Sequence, residues 1–278
     1  MTALDLNVEF NARKTVHDHE QFSERWDREA AQYREESSCE LDIPYGAGER
    51  EQYDFFPANN PDAPLCTYIH GGYWRSRDRK TFSHIAKGLN EHGISVAIPS
   101  YDLVPDVTVI DIIEQMRAFH VKLWQNTPTR PVVAGHSAGG HLTGAILATD
   151  WTGIDGAPDN LVTSAFALSG LYDLHPLLEI DVNEDIRLTS ESARAASPMF
   201  WPAPRGDLNF VAAVGALETQ VFRDQSRNLA EAWPKAGIST EYLEVPNCHH
   251  FSIVDAVSIP GSMLFERLVS TIETHAAA

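Results

Sequence analysis

The sequence predicts an α/β fold, with a mostly parallel central sheet, helices on both faces and an antiparallel N-terminal edge hairpin. Three observations carry this. From about residue 64 onward, short apolar runs alternate with stretches of helical apolar spacing, the pattern of repeated βαβ units. Before them, two short runs at 40–44 and 52–56 flank Gly46-Ala47-Gly48 and read as a hairpin. Finally, Gly135-His136-Ser137-Ala138-Gly139 stands between an apolar strand and a helical stretch.

Taken in order, residues 7–38 are rich in charge, with Phe10, Phe22, Trp26 and Tyr33 spaced as on one or two amphipathic helices preceding the sheet. Residues 64–69 form a buried strand, 81–91 a helix closed by Gly93, and 94–98 the next strand. A helix at 109–124, a strand at 131–134 and a helix beginning within 141–148 follow. Strands at 162–168, 210–214 and 240–245 and helices at 221–233 and 263–274 complete the alternation. Residues 172–206, punctuated by Pro176, Pro198, Pro202 and Pro204, break it and read as a cap-like insertion over the C-terminal edge of the sheet. With no repeat or low-complexity linker, residues 1–278 are expected to form a single domain, in which either the N-terminal helices or the 172–206 segment covers a pocket.

Composition narrows the function. The 278 residues are 43% hydrophobic, enough for a substantial core, and 39 acidic against 21 basic residues give a net charge of −18. A nucleic-acid or anionic membrane partner needs a basic footprint, and none is visible, so a small-molecule substrate is expected. The oligomeric state stays open between monomer and homodimer. Cys39, Cys66 and Cys248 are scattered, without metal-type pairing or a disulfide framework. The charged N-terminus lacks the apolar stretch of a signal peptide, and no apolar run approaches the ~18–20 residues needed to cross a bilayer. These features predict a cytoplasmic protein.

The Gly-x-Ser-x-Gly run follows Pro131-Val132-Val133-Ala134, which is the strand–elbow–helix setting of a nucleophilic serine. A turn this tight tolerates only small neighbours, and it lifts the Ser137 hydroxyl to a helix N-terminus, where the dipole favours negative charge. Upstream, His70-Gly71-Gly72-Tyr73-Trp74 follows an apolar strand where α/β-hydrolases carry an HGGG-type loop. The backbone N–H groups of Gly72, Tyr73 and Ala138 are the candidate oxyanion hole, with His70 bracing the loop. Tyr73, Trp74 and Tyr101 are candidates for walls of a substrate pocket.

A general base belongs after the last strand, where His249 and His250 compete. Successive side chains diverge, so one of them faces Ser137; His250 is preferred because Phe251-Ser252-Ile253 anchors the chain beyond it. The acid belongs between the serine and the histidine, just past strand 210–214. Glu218 is the first carboxylate there, with Asp224 and Asp173 as alternatives. Adjacent histidines rarely chelate one ion and no third ligand is apparent, so no metal site is expected.

With these residues placed, the chain resembles the kynurenine formamidase (arylformamidase) branch of the α/β-hydrolases, close to the hormone-sensitive-lipase-like esterases. The likeness covers nearly the full length. It rests on His70-Gly71-Gly72-Tyr73-Trp74, on Gly135 to His141, on Gly215 to Ser226 and on His250-Phe251-Ser252-Ile253, with Phe10-Asn11-Ala12-Arg13 and Tyr45-Gly46-Ala47-Gly48 in the N-terminal region. The resemblance implies the α/β-hydrolase fold and hydrolysis of N-formyl-kynurenine to kynurenine and formate without metal or organic cofactor. The family commonly carries Asp as its acid, whereas Glu218 stands at the matching place here. A carboxylesterase for small aryl or short-acyl esters, or a hydrolase of another small amide, would use the same residues. A ligand-binding receptor on a hydrolase scaffold would instead show degraded catalytic positions.

Overall fold

A computed structural model describes residues 5–202 and 206–277. Its centre is an eight-stranded sheet in the order β1-β2-β4-β3-β5-β6-β7-β8, formed by β1 (Glu40–Pro44), β2 (Gln52–Phe56), β3 (Leu65–Ile69), β4 (Ser95–Pro99), β5 (Pro131–His136), β6 (Ser164–Leu168), β7 (Asn209–Gly215) and β8 (Ser239–Val245). β1 pairs antiparallel with β2 and β2 with β4, while every pairing from β4 through β8 is parallel. The hairpin thus forms the antiparallel edge. β3, β4, β5 and β6 are buried along their whole length, as a sheet covered on both faces requires.

Alternate residues of each strand feed two cores. Leu65 and Ile69 of β3 face one, with Ile112 and Phe119 of α5 (Val109–Asn126) and Leu142 of α6 (Ala138–Leu147). Cys66 and Tyr68 face the other, with Ile85 and Leu89 of α4 (Ile85–Glu91), and Phe265 and Leu268 of α11 (Met263–Ala276). The start of α5 follows from chemistry local to the chain: Thr108 and Asp111 form a reciprocal capping box.

The differences from the expected elements have physical causes. The 81–91 helix begins only at Ile85, because a 3₁₀ turn over Arg79–Phe82 precedes it. Asp78 caps that turn, and the buried Arg79 guanidinium is drawn to Asp54 at 2.9 Å. α6 starts at Ala138 rather than further along, since helix geometry resumes immediately after the elbow. The chain beyond His250 is not only an anchor but a helix, α10 (Ser252–Ser258), whose Ile253, Val254 and Val257 are buried. The interrupted 172–206 stretch holds 3₁₀ turns at His175–Glu179 and Pro198–Phe200 and the short helices α7 (Asn183–Ile186) and α8 (Ser190–Ala195); Pro204 lies outside the described residues.

Ahead of the sheet come α1 (Leu6–Glu9), α2 (Ala12–Thr15) and α3 (His19–Glu36). Trp26 of α3 is buried in the second core and donates its indole N–H to Asp255 of α10 at 2.8 Å. Among the described residues no helix is long and apolar enough to cross a membrane.

Candidate active site

Neighbouring parallel strands end side by side, so the residues just past their C-terminal ends converge. Ser137 follows β5, Ser169 follows β6, Glu218 lies in the loop after β7 and His250 in the loop after β8. Position in the sheet, rather than in the chain, brings them together.

Ser137 occupies a sharp elbow at φ 57° and ψ −117°. Its N–H donates to Leu168 O of the next strand at 2.8 Å, and its carbonyl accepts from His141 N at 2.9 Å as α6 begins. The elbow needs glycine at Gly139, where a Cβ would overlap the Ile69 carbonyl at the end of β3. Ser137 is 5% exposed, so little more than the side-chain tip reaches the cavity.

The loop after β3 lies directly against it. A Cβ on Gly71 would stand 3.1 Å from Ser137 Cβ and 2.7 Å from the His136 carbonyl. Gly72, Tyr73 and Trp74 then curl through left-handed backbone at φ 114°, 53° and 55°, which for the two aromatics is a strained conformation. Among the described residues, the N–H groups of Gly72, Tyr73 and Ala138 donate to no other protein group. That leaves three donors around Ser137 uncommitted. The loop is held from below: His70 Nδ1–H donates to Gly71 O at 2.8 Å, and its ring stacks on Tyr101 at 4.3 Å.

Glu218 and His250 are paired at 2.6 Å between Oε2 and Nδ1, both buried. The other carboxylate oxygen accepts from Gly215 N at 2.8 Å and from Ser169 Oγ at 2.6 Å. The acid loop is tied to the histidine loop by Ala216 N to Val245 O and Leu217 N to Cys248 O, each 2.9 Å. His250 packs at 4.5 Å between the rings of Phe222 and His136. Burial, and next the neighbouring His250, push the His136 imidazole well below its ordinary pKa, so it is neutral beside the site. Among the described residues no hydrogen bond joins Ser137 Oγ to His250, although both line one cavity.

The competing assignments separate by geometry. Asp224 is turned to the surface of α9 (Gln220–Ala232), where it accepts from Gln220 and Arg227. Asp173 pairs with His175 at 2.8 Å. His249 points away, its Nδ1 accepting from Phe251 N and Ser252 N while its ring meets the edge of Phe22. Cys248 is a buried bystander whose thiol pKa burial pushes up.

The cavity has a volume of about 230 Å³, with Ser137, His250 and Gly72 at its base. Tyr73 lines it, but Trp74 and Tyr101, expected there, do not: both are fully buried. Trp74 is tucked edge-on against His141 of α6 at 5.0 Å, and Tyr101 donates its hydroxyl to His70 O at 2.8 Å. Each aromatic therefore anchors the loop from inside. The walls come instead from both segments expected to cover a pocket: Asn7 and Phe10 of the N-terminal segment, and Ile180 and Val182 of the 172–206 stretch.

The N-terminal segment acts as a strap. Phe10 O accepts the Tyr73 hydroxyl, Glu9 O accepts from Thr219 Oγ1 at 2.7 Å, and Asn7 Oδ1 accepts from Asp181 N at 2.7 Å. Sequence reasoning also missed Ser169; its one available signal was its place after the strand between those of serine and acid. A larger hollow of about 1170 Å³ lies at the opposite, N-terminal ends of the strands, away from these groups. Among the described residues no group of three or more His, Cys, Asp or Glu side chains is arranged to hold a metal ion.

The fold and the comparisons agree on the class. A family profile described as alpha/beta hydrolase fold matches residues 66–253. A solved structure from Silicibacter sp. TM1040, described as a candidate thioesterase, superposes with a TM-score of 0.87 at 28% identity, covering 98% of this chain and 100% of that one. Kynurenine formamidase of Danio rerio is 31% identical over 240 residues, 84% of this chain and 81% of its own. That of Salmo salar is 33% identical over 77% of this chain and 76% of its own. The chain belongs to the kynurenine formamidase family of the α/β hydrolases.

Proposed function

We propose that the protein hydrolyses small aryl formamides such as N-formyl-kynurenine, releasing kynurenine and formate, by acyl transfer through Ser137. The observation that carries this reading is the buried 2.6 Å pair between Glu218 and His250, opening onto the cavity that holds Ser137. A non-catalytic receptor would have no use for that pair. The aromatic and aliphatic walls at Phe10, Tyr73, Ile180 and Val182 suit an aryl group.

In this mechanism His250 takes the Ser137 proton as Oγ attacks the formyl carbon. Glu218 accepts from Nδ1, fixes the tautomer and stabilises the imidazolium. The oxyanion is met by the N–H groups of Gly72, Tyr73 and Ala138, each typically worth ~3 kcal/mol of barrier. The protonated His250 then gives its proton to the departing aryl amine, and water, deprotonated by His250, releases formate from Ser137. The Ser137–His250 hydrogen bond forms when substrate is bound, as catalytic hydrogen bonds often do. The strap and the 172–206 stretch serve as the cap that excludes water. The setting we propose is the cytoplasm, where the free thiols of Cys39, Cys66 and Cys248 would stay reduced.

The test is turnover of N-formyl-kynurenine beside p-nitrophenyl acetate, with Ser137→Ala as control. A formamide kcat/KM of ~10⁴ M⁻¹s⁻¹ or more that the substitution abolishes supports the reading. Ester turnover without formamide turnover would move the assignment to a carboxylesterase using the same residues. Activity that survives in Ser137→Ala would remove Ser137 as nucleophile.

A further inference from the structure

The cavity reaches across the edge of the sheet. At one end its walls belong to the first core: Phe10 and Ile180 are members of that core, and Val182 packs against it. At the other end they belong to the second core, through Ala12 of α2 with Trp26, Phe82 and Phe251. Ser137 follows β5, which lies mid-sheet between β3 and β6, and so stands between the two ends. His136 shares a face of β5 with Ala134 of the second core, and it too lines the cavity.

The two ends differ in build. The first is closed by chain segments, the strap and the 172–206 stretch, joined through the bond from Asp181 N to Asn7 Oδ1. The second is closed by core side chains. The Trp26 ring lies 5.8 Å from that of Phe82 and 6.2 Å from that of Phe251, and its indole N–H is fixed on Asp255. At the same end His136 is 5% exposed, and its buried Nε2 has no hydrogen-bond partner among the described residues. Buried polar atoms are seldom left bare, and a guest with a hydrogen-bonding edge would satisfy this one.

Attack on a carbonyl leaves the acyl substituent and the leaving group on different sides of the reacting carbon. The leaving group departs first, which suits the end closed by chain segments. The acyl substituent stays on Ser137 until water arrives, which suits the end closed by the core. In a formamide that substituent is a single hydrogen atom, and the second end stays unfilled. We propose that the end lined by Trp26, Phe82 and Phe251 is an acyl subsite for an aromatic ring, and that the protein also hydrolyses aryl esters of aromatic carboxylic acids. The inference rests on the proposed function in placing the leaving group beneath the strap. Aromatic walls meet such a ring edge-on or offset, with a gain beyond the area buried. The bond from Ser137 Oγ to the acyl carbon forms, the bond from that carbon to the aryl oxygen breaks, and His250 passes the serine proton to that oxygen. Water then takes the aroyl group as the carboxylic acid, and its second proton returns to Ser137 through His250.

The test is hydrolysis of 4-nitrophenyl benzoate beside 4-nitrophenyl acetate by the full chain. The esters share a leaving group, so the ratio of their kcat/KM values reports the acyl end alone. The benzoate is expected to react at least as fast as the acetate. Ala12→Leu fills this end and is expected to lower the ratio about tenfold or more, the scale on which an apolar pocket tells methylenes apart. Acetate turnover shows that the variant is folded. A variant that turns over neither ester is replaced by Phe82→Leu, which widens the end and should raise turnover of the 2-naphthoate ester relative to the benzoate. A benzoate slower than the acetate in the wild-type chain, or ratios that the substitutions leave unchanged, would overturn the subsite. A benzoate at least as fast as the acetate, without turnover of N-formyl-kynurenine, would sink the formamidase reading and leave the subsite standing. Turnover of N-formyl-kynurenine with the benzoate slower than the acetate would do the reverse.

Discussion

Ser169 and Glu218 are joined by a buried 2.6 Å hydrogen bond from hydroxyl Oγ to carboxylate Oε1, made between loops that leave adjacent strands. With Gly215 N on the same oxygen, it turns the other oxygen, Oε2, onto His250. Replacing Ser169→Ala removes the positioning bond without touching substrate. We expect kcat to fall about 10- to 100-fold, the worth of a hydrogen bond to a charged group, with KM nearly unchanged. Ser169→Cys, a weaker donor, should fall between. Steady-state kinetics decide it, and wild-type kcat in Ser169→Ala would show that Gly215 alone suffices.

Glu218 bridges three partners, and its length is what lets it do so. Shortening it in Glu218→Asp leaves one carboxylate to serve Gly215, Ser169 and His250 across the missing methylene. A drop in kcat on the order of tenfold or more is expected even though the charge is kept. Glu218→Gln keeps the length and loses the charge, and should cost about 10³- to 10⁴-fold, as loss of the acid does in related triads. If Glu218→Gln retains full activity, the acid lies elsewhere.

Tyr73 offers a cleaner separation of binding from chemistry. In the proposed mechanism its backbone N–H serves the oxyanion, while its hydroxyl holds the strap at Phe10 O. Tyr73→Phe loses only the second of these, net about 1 kcal/mol. KM should rise several-fold and kcat change little, because the strap loosens while the reacting groups stay in place. A loss confined to kcat would contradict this division of roles.

Stability should depend on pH through buried histidines outside the reaction. Burial holds His70, His120 and His141 at about 4, down from the ordinary value of 6.5. His120 shows why: Nδ1–H donates to Met116 O at 2.7 Å while Nε2 accepts from Thr67 Oγ1 at 3.2 Å, which only the neutral ring can do. Between pH 6.5 and about 4 the unfolded chain binds more protons than the folded one, so stability is full above 6.5 and is lost as pH falls towards 4. The urea midpoint should therefore be lower at pH 5 than at pH 7.5. An unchanged midpoint would mean that these rings are protonated in the folded state.

The elbow and the loop after β3 were legible because both demand particular backbones, and glycine at Gly71 and Gly139 betrays such demands in the sequence. Glu218 and His250 were legible by position after the last two strands. Trp74 and Tyr101 were misread for a definite reason: an aromatic just past the C-terminal end of a strand has the same sequence signature whether it faces a pocket or anchors a loop from the core. Ser169 carries no motif, since its role depends on β6 lying between β5 and β7. α10 was missed because its seven residues have no side-chain cap; its helix is specified by packing and by Asp255 meeting Trp26 and Arg25.

The strap's partners lie 210 residues away at Thr219 and 174 residues away at Asp181. During synthesis this segment leaves the ribosome well ahead of those partners and docks only after the chain through β7 and the start of α9 has emerged. Until then Ser137 sits on a strand already made, beside a cleft with no roof. Chains shortened before Thr219 would therefore leave the apolar face of Phe10 without the Phe222 ring it packs against, and that is a surface a holding chaperone would meet.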